Sequence, residues 1–112
     1  MTPIPIPHTW VLALSAVLFA IGTLGVLLRR NGIAIFLSLE IMLNSANLAF
    51  AAFAMFLASQ PGMAAAAVSG QLFVFFVIGV AAAEAAVGLA IFIALHRLKQ
   101  SIDVDRANIL RW

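Results

Sequence analysis

The sequence contains no cysteine and no tyrosine, and very little charge. Six Lys and Arg with four Asp and Glu make up 9% of 112 residues, against about 25% in an ordinary soluble domain. Each shortage excludes a class of function. Without cysteine there can be no disulfide, no zinc–thiolate site and no cysteine-ligated iron–sulfur cluster. So few charged side chains cannot cover the surface of a water-soluble fold of this size. That excludes a soluble enzyme, and also a disordered or nucleic-acid-binding chain. The formal net charge of +2 is a small excess among few charges and identifies no partner. No G-x-G-x-x-G phosphate loop is present.

What remains is apolar: 65% of the residues are hydrophobic. The charges divide this background into a single all-α membrane domain with three transmembrane helices. Residues 1–28 carry no charge before Arg29 and Arg30, and only Glu40 and Glu84 interrupt the stretch from Asn31 to Leu95. A membrane helix needs about 20 mostly apolar residues. The spans are expected at about Trp10–Leu28, Ile33–Ala58 and Gly70–Leu95. Prolines 3, 5 and 7 hold the preceding segment extended. Ser59-Gln60-Pro61-Gly62 is a turn signal. The third apolar run reaches back to Met63, too long for a hydrocarbon core of about 30 Å. Met63–Val68 is therefore expected as a short outer segment, and 96–112 as a polar tail that serves as a contact segment.

Arg29 and Arg30 follow the first span, while Arg97 and Lys99 follow the third. The positive-inside rule then sets the N-terminus outside and the C-terminus in the cytoplasm. Trp10 falls in the outer aromatic belt. Residues 1–9 lack the basic start of a cleaved signal peptide, and without a visible targeting segment a bacterial plasma membrane is expected over an organellar inner membrane.

Glu40 and Glu84 are the informative residues. An ionisable side chain near the bilayer centre costs about 2.5–3.5 kcal/mol on insertion scales, and faces a bundle interior or a water cavity. Glu40 lies ten residues after Arg30 and Glu84 twelve before His96, so the carboxyls sit roughly 15 and 18 Å from the same side. Two antiparallel helices thus bring them to nearly one depth, which suggests a lateral arrangement. Carboxyls held at that depth are candidates for taking up and releasing protons. Proton transfer is the reading adopted for the pair; a permanently protonated interhelical hydrogen bond is the plainer alternative.

Asn44 and Asn47 share a helical face with Glu40, at i+4 and i+7. That face is either hydrated and part of a proton path or, as we prefer for the asparagines, packing against another helix. Around Glu84 the helix lacks bulk, with Gly79, Ala81, Ala82, Ala83, Ala85, Ala86 and Gly88, so a tight contact with another subunit is expected there. Gly22 and Gly25 repeat that signal more weakly. Arg29 and Arg30 mark topology first, with a secondary role in tuning protons at the cytoplasmic mouth. His8 and His96 lack partners at metal-ligand spacing and are read as interfacial.

Two stretches carry a family resemblance: GVLLRRNGIAIFLSLEIMLNSANLAF (Gly25–Phe50) and GQLFVFFVIGVAAAEAAVGLAIFIALHR (Gly70–Arg97). Both strongly resemble the subunit K family of the proton-pumping NADH:quinone oxidoreductase, respiratory complex I. The most specific pieces are RRN followed by LE-x-M-x-N, and AAAEAAVGLAI. The N-terminal prolines and the loop Ala58–Val68 are less typical of it. The resemblance implies a small three-helix subunit packed among other hydrophobic membrane-arm subunits in the lipid bilayer. It implies that Glu40 and Glu84 belong to a chain of charged and hydrated residues that links quinone reduction to proton translocation. It also implies that this chain binds no cofactor itself, with NADH, FMN, iron–sulfur clusters and quinone held by partner subunits.

The nearest alternative is the related small subunit of multi-subunit sodium/proton antiporters, which we expect to lack the AAAEA glutamate. A rotary ring subunit has two helices and one carboxylate, and a small drug exporter wants four spans and an aromatic pocket. A purely structural assembly protein would not need buried carboxyls.

Overall fold

Pro7 holds the backbone extended (φ −62°, ψ 141°), and helix α1 (His8–Leu28) begins at the next residue. The chain turns at Arg29 and Arg30, and Asn31 starts α2 (Gly32–Ala58) by accepting the backbone N–H groups of Ile33 and Ala34 on its side chain. Such a cap satisfies donors left over at a helix start. After Ala58 the turn at 59–63 includes Gly62, whose φ of +77° favours a residue without Cβ. Helix α3 (Ala64–Lys99) follows. The computed structural model describes residues 5–99, so Pro3 and residues 100–112, including most of the expected contact tail, lie outside the described residues.

Each helix is long and apolar enough to cross a membrane, and no strand occurs among the described residues. The third helix differs from expectation in extent. It starts at Ala64, ahead of Gly70, and runs past Leu95 to Lys99 as one element of 36 residues. The segment Met63–Val68 is therefore not a separate outer piece beyond its first residue. Its alanines are the best helix formers and nothing in it breaks a helix; the breakers are Pro61 and Gly62.

The packing is inverted relative to a soluble protein. The buried apolar residues are the small Ala52, Ala54 and Ala67, and the buried polar ones are Ser15, Ser38, Ser45 and Asn47. Large side chains such as Trp10, Leu27, Leu28, Phe75 and Phe76 point outward. Helices in lipid gain nothing by hiding apolar bulk from one another, so small residues mediate their contacts. Hydroxyls of Thr23, Ser38, Ser45 and Ser69 bond carbonyls three or four residues back, so their polar groups stay satisfied away from water.

Helix α2 lies in the middle and supplies the main contacts to both neighbours. Ser38, Ser45 and Ala52 recur every seven residues and form one face. Against it lie Gly22 and Gly25, both close on Ser38, and the Ser15 hydroxyl, which donates to the Ser45 carbonyl at 2.5 Å. At the far end His8 packs on Phe56 with ring centroids 4.5 Å apart. The opposite face of α2 meets α3. Gly70 packs on Ala54, Phe50 stacks on Phe73 at 6.4 Å, and Phe36 lies over Gly88 and meets Phe92 edge-on at 5.8 Å.

The close approach at Gly22 gives a first prediction. A Cβ there would lie 2.5 Å from Met42 Cγ and 2.9 Å from the Ser38 carbonyl oxygen. Overpacking of this kind costs about 1–3 kcal/mol. Gly22→Leu should lower the amount of this chain retained in membranes and its heat resistance, measured by immunoblot after stepwise heating. Retention at the wild-type level would contradict the close packing.

Candidate functional site: two carboxylates on one cavity

The α2–α3 contacts fix the level of the glutamates. Ala54–Gly70, Phe50–Phe73 and Phe36–Gly88 define one antiparallel register, and continuing it sets Glu40 opposite Glu84. Both carboxyl-bearing residues line the same cavity of about 420 Å³. Its other walls are Phe19 from α1, Phe36, Leu39, Met42, Leu43 and Ala46 from α2. All three helices therefore build the site, and every wall residue except the glutamates is apolar. Matched depth, expected from counting residues, thus sets both carboxyls on one half-open apolar groove.

Burial separates the two. Glu40 is half-buried and Glu84 exposed on the surface of the single chain. Glu84 also borders a cavity of about 250 Å³ with Leu43, Phe76, Val77, Val80 and Ala81. It also sits in a shallow groove on the outer surface of α3, among Val80, Ala83, Val87, Gly88 and Ile91. Glu84 is the residue common to all three. The small residues near it divide over two faces of α3. Gly88 is closed by the Phe36 ring, whereas a Cβ at Gly79 would meet nothing within 4 Å.

The asparagines separate as well. Asn47 is buried with Ala54 on the α3-facing side, while Asn44 is exposed. Neither lines the cavity that holds both glutamates. Arg29 and Arg30 are exposed in the connection between α1 and α2, where the Arg29 N–H closes α1 on the Gly25 carbonyl. About 15 Å of helix separates Arg30 from Glu40, so the structure does not bring the arginines to the carboxyls. Among the described residues no three His, Cys, Asp or Glu side chains come together as a metal site.

Sequence reasoning missed the aromatic walls Phe19 and Phe36 and the hydroxyl clamp Ser15–Ser45. Heptad spacing of Ser38, Ser45 and Ala52 was the available signal for the clamp. Asn31, read only as part of RRN, is the helix cap; an Asn directly before an apolar helix is a cap signal.

The family described as NADH-ubiquinone/plastoquinone oxidoreductase chain 4L matches residues 10–112. The chain belongs to this family. It is similar to "NADH-quinone oxidoreductase subunit K 2" of Geotalea uraniireducens (strain Rf4), 54% identical over 101 residues that cover 90% of this chain and 93% of the relative. Subunit K of Roseiflexus castenholzii is 51% identical over 106 residues, covering 95% of this chain and 98% of the relative. Subunit K of Leptospira biflexa is 48% identical over 107 residues, with 96% and 93% covered. With its three membrane-length helices, this chain 4L family member is a multi-pass membrane subunit of an NADH–quinone oxidoreductase. The names of these relatives support the oxidoreductase reading and not the antiporter alternative.

Proposed function

We propose that this subunit carries protons laterally within the membrane arm of a proton-pumping NADH–quinone oxidoreductase, with Glu40 and Glu84 as the exchanging pair. The observation that supports this reading is the common cavity: antiparallel helices bring both carboxyls to one level on one apolar-walled space. A protonated Glu40 gives its proton to the Glu84 carboxylate, directly or through water in the cavity, and is left as the carboxylate. The walls Phe19, Phe36, Leu39 and Met42 shield the exchange from bulk solvent, which keeps protons from leaking. Glu84, open to the chain's outer surface, hands the proton to the neighbouring subunit. The hydrogen-bonding alternative has less support. A fixed hydrogen bond would hold each carboxyl to one partner of its own, whereas both carboxyls here face the same apolar-walled space.

In this reading NADH, FMN, iron–sulfur clusters and quinone are held by partner subunits, since this chain has no cysteine to hold a cluster. Its partners are the other hydrophobic membrane-arm subunits and the lipid. The basic residues after the first and third spans support an outer N-terminus and a cytoplasmic C-terminus, in a bacterial plasma membrane. A tagged copy expressed in its own host and purified in mild detergent should bring down flavin, iron–sulfur clusters and quinone-linked NADH oxidation together. Recovery with antiporter subunits and no redox centre would overturn the proposal.

A further inference from the structure

Phe36 and Gly88 stand one turn from the carboxyl pair, each on its own helix. Phe36 precedes Glu40 by four residues in α2, and Gly88 follows Glu84 by four in α3. The Phe36 ring lies so close on Gly88 that a Cβ there would stand 2.5 Å from Cε2 and 2.7 Å from Cζ. Phe92, one turn further along α3, meets the same ring edge-on at 5.8 Å. The ring is thus seated over one turn of α3. Phe36 also lines the groove that Glu40 and Glu84 share. On the other side of the pair the seam opens into a groove beside Leu43, Val77 and Ala81. It closes again at the Phe50–Phe73 stack, about 15 Å along the helix from Glu40.

A proton passes between two carboxyls only when they lie within hydrogen-bond reach, directly or via one water. The separation of α2 and α3 at this level therefore governs the exchange. Small residues at a helix contact let backbones approach closely. Gly88 provides that approach on α3, and the Phe36 ring sets where it stops. We propose that the Phe36–Gly88 contact is the spacer that fixes the separation of Glu40 and Glu84, with both of its members acting as positioning residues. The inference rests on the proposed proton role of the pair. Neither member handles the proton, since a phenyl ring and a glycine have no side-chain group that takes one up. A methyl added at Gly88 meets the ring, which Phe92 flanks, and displaces α3 from α2. The carboxyls then move apart.

The test uses the assembled complex with Gly88→Ala, Phe36→Leu and the two combined. A misplacement of about 1 Å can cost a hundredfold in rate, so Gly88→Ala should lower quinone-linked NADH oxidation and pumping about three- to thirtyfold, and Phe36→Leu about threefold. Assembly and the KM for quinone should stay at wild-type values. Leucine leaves room for the added methyl, so the combined variant should return to within about twofold of wild type, as expected of residues in contact. The infrared C=O bands that Glu40→Gln or Glu84→Gln alter should shift in Gly88→Ala and return in the combined variant. Gly70→Ala is the control. It places a Cβ 2.9 Å from Ala54 Cβ in the same seam, about 21 Å of helix from Glu84, and should leave those bands unchanged. A full rate with unchanged bands in either single variant would overturn the spacer. So would losses that add in the combined variant, a loss that only follows lost assembly, or an equal band shift in Gly70→Ala. If Glu40→Gln and Glu84→Gln are impaired and Gly88→Ala is not, the spacer alone fails. If both glutamine variants are fully active, the proton role of the pair fails first.

Discussion

Glu84→Gln should assemble at normal levels and lose most quinone-linked NADH oxidation and proton pumping, by at least about tenfold. Glutamine keeps the shape and a hydrogen-bonding amide but cannot ionise. Glu84 borders three grooves, and among the described residues no other carboxyl lies between the space shared with Glu40 and the outer face of α3. In a tightly coupled pump, a blocked protonation also slows the redox reaction that drives it. NADH oxidation by artificial acceptors, which stops short of the membrane arm, should persist. Glu84→Asp should fall between, since the acid is kept and its reach shortened by one methylene. Normal pumping by a fully assembled Glu84→Gln complex would leave the residue a structural role.

A similar loss is expected for Glu40→Leu, and here the position of the rescue is informative. Leu43 lines the cavity with Glu40 and also borders Glu84's second cavity. Ile41 lines neither and is exposed on another side of α2. Glu40→Leu combined with Leu43→Glu should recover part of quinone-linked activity, because the carboxyl returns to the same enclosure one turn along. Glu40→Leu with Ile41→Glu should not. A glutamate with one fixed hydrogen-bond partner would tolerate neither move. Equal failure of both double variants, in complexes that assemble normally, would favour that alternative.

Much of this arrangement was legible in the sequence because charge is so scarce. Arg29 and Arg30, the Pro61-Gly62 turn and His96-Arg97 stand out against apolar runs, and they set helix number and the depth of both glutamates. The start of α3 was not legible: alanines 64–67 suit a helix as readily as an outer segment, and only the length of a bilayer argued for a break. Helix α2 has two packed faces and its outward residues are as apolar as its inward ones, so periodicity could not reveal that it lies in the middle. For the same reason Asn44 and Asn47, one face by spacing, proved to differ in burial. Around Glu84, where a tight contact with another subunit is expected, part of the small-residue stretch packs within the chain instead. Gly88 meets Phe36, but Glu84 and Gly79 face outward, where small side chains leave room for a neighbouring helix.

The central claim is that Glu40 and Glu84 pass a proton between them during turnover. The most direct measurement is infrared difference spectroscopy of the membrane-reconstituted complex on reduction by NADH in the presence of quinone, with the C=O band of protonated carboxyls as the readout. Wild type should show one carboxyl losing its proton as another gains one, with both features altered by either Glu40→Gln or Glu84→Gln. If the carboxyl region is the same in wild type and in both variants, the pair does not exchange protons in turnover and the account is contradicted.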